Sequence, residues 1–125
     1  NTQKQRMNTQ NQLVNLVVEG IQEKKGHDIT IVDLRTIETA PSQYFVVATG
    51  GSPQQVEALA ESVEDTVREQ AGEKPAAVVG RENAFWMAMD YGNVMVHLFL
   101  PEAREHYDIE NLWAEAELIQ IPDLD

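Results

Sequence analysis

Apolar residues recur at helical spacing through Leu13, Val14, Val17, Val18 and Ile21, which predicts an amphipathic helix entered through a cap within Thr9-Gln10-Asn11-Gln12. Lys24 and Lys25 put cations at its negative pole, and Gly26 offers a residue able to turn left-handed there. Ile29 to Leu34 is rich in β-branched residues and predicts a strand. Arg35 to Gln43 contains Pro41 and reads as a connection. Tyr44-Phe45-Val46-Val47-Ala48-Thr49 shows no alternation, the pattern of a central strand buried on both faces. Ser52 then predicts a helix N-cap, with Pro53 in the first helical position and Gln55 completing a capping box. Val56, Leu59, Ala60, Val63 and Val67 form the inner face of that helix, Glu57, Glu61, Glu64, Asp65 and Glu69 the outer, and Gly72 ends it.

A short strand at Ala77 to Val79 follows Pro75. Phe85 to Asp90 and Val94 to Leu100 predict a hairpin turning at Tyr91-Gly92. Pairing Met89 with Val94 puts Phe85, Met87, Met89, Val94, Val96 and Leu98 on one face. Trp86, Ala88, Met95, His97 and Phe99 share the other, with Trp86 directly across from His97. Pro101 starts a short acidic helix to about Tyr107, and Asp108 caps a further turn carrying Leu112 and Trp113. The order of elements implies an α/β fold, a mixed central sheet flanked by helices on both faces. Residues 13–113 form the domain, 1–12 a flexible polar lead-in and 114–125 an acidic tail lying loosely.

A chain of 125 residues with 42% hydrophobic content can build one core. No apolar run approaches the roughly 20 residues of a membrane span, and the N-terminal stretch lacks the apolar segment of a signal peptide. With no cysteine, disulfides and thiolate metal sites are excluded, which fits a cytoplasmic location. Twenty-one acidic residues against nine basic ones leave a net charge of −12, which repels phosphate backbones and anionic membranes. The acidity either steers encounter with a basic protein partner or serves only to keep the domain soluble.

Gly50-Gly51-Ser52 lies at a strand-to-helix junction, where backbone amides can hold a phosphate. A phosphate loop would want a lysine, and none lies between Lys25 and Lys74. In nucleotidyltransferases such a turn precedes two carboxylates one residue apart on the next strand. The pairs at that spacing here, Asp108 with Glu110, Glu115 with Glu117 and Asp123 with Asp125, all lie beyond the last predicted strand. The turn is better read as a plain helix entry. His27, His97 and His106 show no metal-ligand spacing. Ser42, Ser52 and Ser62, the three serines, include no nucleophile elbow. No catalytic residue, metal or cofactor is therefore assigned. Trp86, Asp90, His97, Arg104 and Tyr107 remain, a composition typical of binding hot spots; the alternative is that the aromatics merely cover the sheet's second face.

The run from Trp86 through Asp90-Tyr91-Gly92-Asn93 to Val96-His97, with Arg104, Tyr107 and Leu112-Trp113, resembles the ribosomal silencing factor, or Iojap-like, family. Tyr44-Phe45-Val46-Val47-Ala48-Thr49-Gly50 with Ser52 is similar to that family's strand and turn, and the likeness runs from about Leu13 to Trp113. Gln43, Val79 and Asn93 depart from it, standing where Asp, Glu and Asp are usual; Asn in a turn tolerates the same backbone. The resemblance implies a nucleotidyltransferase-like fold without catalytic carboxylates. It implies binding to ribosomal protein fourteen of the large ribosomal subunit, which blocks joining of the small subunit and represses translation. Trp86, Asp90, His97, Arg104 and Tyr107 would make that contact. Organellar relatives imply large-subunit biogenesis as the alternative. An enzyme with a relocated metal site and a direct binder of ribosomal RNA are further rivals, the second opposed by the acidic surface. Sheet edges and Leu112-Trp113 also offer surfaces for a homodimer.

Overall fold

The computed structural model describes residues 2–124, with side chains from residue 12 onward. Its elements are α1 (Thr2–Glu23), β1 (His27–Asp33), β2 (Tyr44–Thr49), α2 (Pro53–Ala71), β3 (Ala77–Val79), β4 (Trp86–Asp90), β5 (Val94–Phe99), α3 (Pro101–Tyr107), a 3₁₀ turn (Ile109–Asn111) and β6 (Glu117–Ile121). They form one mixed six-stranded sheet in the order β3-β4-β5-β2-β1-β6. The β2–β5 pair is parallel, and the other pairs are antiparallel. β2 lies inside the sheet with all six residues buried, as its unbroken apolar run requires.

Each sheet face has its own core. On the first, Val17 and Ile21 of α1 and Val56, Leu59 and Val63 of α2 pack on Ile31, Val46, Met87, Met89, Val96 and Leu98. On the second, Val32, Leu34, Phe45, Val47 and Phe99 pack with Ile109 of the 3₁₀ turn. Helical elements thus flank both faces, as predicted. The helix pair is pinned where buried Ser62 donates from Oγ to the Gly20 carbonyl over 2.7 Å, satisfying both groups.

Ser52 caps α2 as predicted, its Oγ accepting from the Gln55 amide at 3.1 Å, and Gly72 closes the helix at φ 67°. The capping box differs by one place. Gln55 Oε1 accepts from the Gly51 amide at 2.7 Å, while its Nε2 donates to the carbonyls of Lys24 and Lys25. One glutamine therefore ties the start of α2 to the end of α1.

Several expectations are corrected. α1 begins at Thr2, so Thr9 is inside the helix and the predicted lead-in is helical from residue 2. Gln, Lys, Arg and Met are good helix formers, and no glycine or proline interrupts the chain before Gly20. At the other end Lys25, at φ 62°, takes the left-handed position in place of Gly26. Lys25 donates to the Gln22 carbonyl and Gly26 to that of Ile21, both at 3.0 Å, closing a Schellman motif. Gly26 is needed for space: a Cβ there would lie 2.4 Å from Ile21 Cγ2.

The hairpin register is offset by two residues. Met89 pairs with Val96 and Trp86 with Phe99, so His97 lies across from Ala88 and not Trp86. The Tyr91 amide donates to the Val94 carbonyl at 2.9 Å and Asp90 Oδ1 accepts from the Gly92 amide at 2.8 Å, centring the turn on Gly92-Asn93. A slip of two preserves every side chain's face, so the predicted faces stand for the paired residues. Phe85 lies before β4 and is 40% exposed, instead of joining Met87 and Met89 in the core. Finally, the acidic tail contains β6, paired with β1 from Ile29↔Ile121 to Asp33↔Glu117. Leu118-Ile119-Gln120-Ile121 has the apolar, β-branched content to form a strand, despite the acids around it.

Candidate docking surface

The antiparallel register places Ala77 and Val79 of β3 beside Asp90 and Ala88 of β4, on the same sheet face as Trp86, Met95, His97 and Phe99. The 3₁₀ turn packs against the other half of this face, around Val32, Phe45 and Val47. The β3–β4 half stays open: Val79 is 59% exposed, Ala77 is exposed, and Ala88 and Met95 are half-buried. α3 borders the opening and brings Tyr107 over it.

Trp86 is the centre of an aromatic stack. Its ring lies 5.1 Å from Phe99 and 4.6 Å from Tyr107, centroid to centroid. Phe99 is fully buried, whereas Tyr107 keeps 42% of its surface in solvent. The stack therefore runs from the core to the surface and presents Tyr107 and part of Trp86 outward. Such aromatic pairs prefer offset or tilted geometry, as seen here.

His97 lies behind this surface. It is 5% exposed, its Nδ1 accepts from Trp86 Nε1 at 3.1 Å, and its ring meets Phe45 edge-on at 4.6 Å. Burial pushes its pKa down to about 4, so the imidazole is neutral at physiological pH.

Arg104 points elsewhere. Its guanidinium, with 13% of the side chain exposed, faces Glu110, Thr30, Thr49 and the Asp28 carbonyl. Asp90 lies at the other end of β4, about 13 Å from Trp86 by strand rise, and one of its oxygens is held by the Gly92 amide. Of the five residues singled out from sequence, the fold thus joins Trp86, His97 and Tyr107 and sets Arg104 and Asp90 apart. Val79, Ala88 and Met95 were not in that set. Alternation places Ala88 and Met95 on the correct face, but only the uncovered half-sheet makes them a floor.

The Gly50-Gly51-Ser52 turn is spent on helix capping. Asp33 lies at the end of β1 in an ion pair with Arg35 at 2.8 Å, whose hydrogen bond holds the carboxyl below its ordinary range. Among the described residues no group of three or more His, Asp or Glu is arranged to hold a metal ion, and no helix is long and apolar enough to cross a membrane.

A family model described as ribosomal silencing factor during starvation matches residues 7–125. The chain is similar to the Ribosomal silencing factor RsfS of Chromobacterium violaceum, 42% identical over 98 residues that cover 78% of this chain and 79% of that protein. It is 30% identical over 112 residues to the Ribosomal silencing factor RsfS of Bacillus subtilis, covering 90% and 93%. An X-ray crystal structure of a Chromobacterium violaceum protein superposes with a TM-score of 0.78 at 40% identity, covering 82% of this chain and 84% of that one.

Proposed function

As this chain belongs to the ribosomal silencing factor family, we propose that it binds the large ribosomal subunit through ribosomal protein fourteen and blocks joining of the small subunit by occupying its space. The observation that carries this reading is the open apolar half-face, floored by Val79, Ala88 and Met95 and edged by Trp86 and Tyr107, on a protein of net charge −12. Ribosomal RNA repels such a surface, whereas a basic ribosomal protein attracts it. Trp86 and Tyr107 supply aromatic anchor area along the edge of the contact. Asp90, whose other carboxylate oxygen is not used by the turn, meets a partner Lys or Arg at the far end.

His97 supports the surface from behind, by holding the Trp86 indole. In this reading the protein works in the cytoplasm as a binding factor and not as a catalyst. Any effect on large-subunit biogenesis would use the same contact.

The test is to add purified protein to separated ribosomal subunits and follow joining by sedimentation. Joining should fall as the protein approaches stoichiometry with large subunits. Subunits that associate unhindered in an excess of the protein would refute the proposal. Magnesium-dependent incorporation of labelled nucleotide into any acceptor would instead favour an enzyme.

A further inference from the structure

α3 poses a question of attachment. It has seven residues and none of them is fully buried, and its apolar packing is confined to Ala103 and the Tyr107 ring. The helix nevertheless carries Tyr107, whose ring must lie on Trp86 for the aromatic edge of the docking surface to exist. What holds it is Arg104, one turn before Tyr107 on the same side of the helix.

The Arg104 guanidinium makes contacts enough for all five of its N–H groups. Nε and Nη2 donate to Glu110 Oε2 at 3.1 and 2.8 Å, Nη2 to Thr30 Oγ1 at 3.0 Å, and Nη1 to Thr49 Oγ1 at 2.9 Å and to the Asp28 carbonyl. These partners belong to the 3₁₀ turn, to β1 and to the end of β2. Both charged side chains are largely withdrawn from water, Arg104 at 13% and Glu110 at 15% exposure. A guanidinium so committed could reach a partner only by breaking the bonds that seat its own helix. Removing one member of such a half-buried pair leaves the other charge poorly solvated, so the cluster holds together as a unit.

We infer that Arg104, with Glu110, Thr30 and Thr49, is a positioning clamp that sets Tyr107 on Trp86, and that Arg104 makes no contact with the ribosomal partner. This assignment rests on the function proposed above for that surface. It converts a residue of the sequence-derived contact set into an internal one.

The test compares Arg104→Ala, Tyr107→Ala, the double variant and Thr49→Val. Without any ribosome, the NMR shifts of the Tyr107 ring and the Trp86 indole proton should move in Arg104→Ala, and to a smaller extent in Thr49→Val, which removes one bond and keeps the side-chain shape. With large subunits, Tyr107→Ala should weaken binding about thirtyfold and Arg104→Ala about tenfold. The double variant should again lose about thirtyfold, not the product of roughly three-hundredfold, because both changes remove one contact. Unmoved Tyr107 and Trp86 resonances in Arg104→Ala, or losses that multiply, would overturn the clamp. Should Arg104→Ala fail to fold, Thr49→Val decides through the same resonances. A parent protein that ignores large subunits would sink the proposed function, while the ring shifts still judge the clamp.

Discussion

The indole Nε1–H of Trp86 donates to Nδ1 of His97 across 3.1 Å, diagonally between neighbouring strands. An imidazole that accepts through Nδ1 while neutral must carry its proton on Nε2. The bond therefore fixes both the tautomer of His97 and the plane of Trp86. It couples the protonation of a buried group to the aromatic surface above it.

That coupling predicts a pH dependence. His97 in the folded protein is depressed to about 4 by burial, against roughly 6.5 in an unfolded chain. Between these values the unfolded state binds more protons, so stability is full above about 6.5 and falls as pH drops toward 4. The loss should reach roughly 3 kcal/mol below that window. Asp33, lowered by its bond to Arg35, adds a loss only below about 4, the ordinary carboxylate range. Unfolding free energies measured by urea from pH 7 to 4 should slope for the parent and flatten for His97→Phe. Parallel curves would contradict the assignment.

Tyr107 is exposed enough to be truncated without harm to the core. Tyr107→Ala should weaken binding to large subunits about thirtyfold, equivalent to about 2 kcal/mol. Loss of its stack on Trp86 should cost only about 1 kcal/mol of stability. Co-sedimentation at parental strength by a folded variant would remove Tyr107 from the contact.

Val79 allows the sign of the partner's charge to be read. At 59% exposure, replacing it should leave the unfolding free energy within about 0.5 kcal/mol. Val79→Lys should reduce affinity for large subunits about tenfold, and Val79→Glu less, because the facing surface is taken to be basic. The gap between them should shrink at high salt. Equal losses, or a greater one for Glu, would contradict a basic partner at this position.

Gly80 controls the backbone beneath Trp86. It has φ 91°, and a Cβ there would lie 2.1 Å from the Trp86 carbonyl oxygen. Gly80→Ala must therefore distort the start of β4, and should cost about 2 kcal/mol or more in urea unfolding. A parental midpoint would show that this approach is not needed.

Local features carried much of the architecture. The unbroken apolar run of β2, the Ser52-Pro53 entry to α2 and the two faces of the hairpin all follow from spacing within a few residues. The hairpin register did not, because a period of two looks identical after a slip of two. β6 went unseen because four of its five side chains are exposed, and an edge strand open on both faces shows no alternation. The role of Arg104 was equally hidden: Asp28, Thr30 and Thr49 stand 76, 74 and 55 residues away in sequence.

By itself, the sequence determined which side chains are apolar, how they are spaced and how much negative charge surrounds them. Those properties specify helices, strands and their inner faces. Tertiary structure alone decided which half of a sheet face remains uncovered, which aromatics stack into it and where an arginine spends its hydrogen bonds. These depend on strand order and on contacts between distant residues, and no local periodicity encodes them.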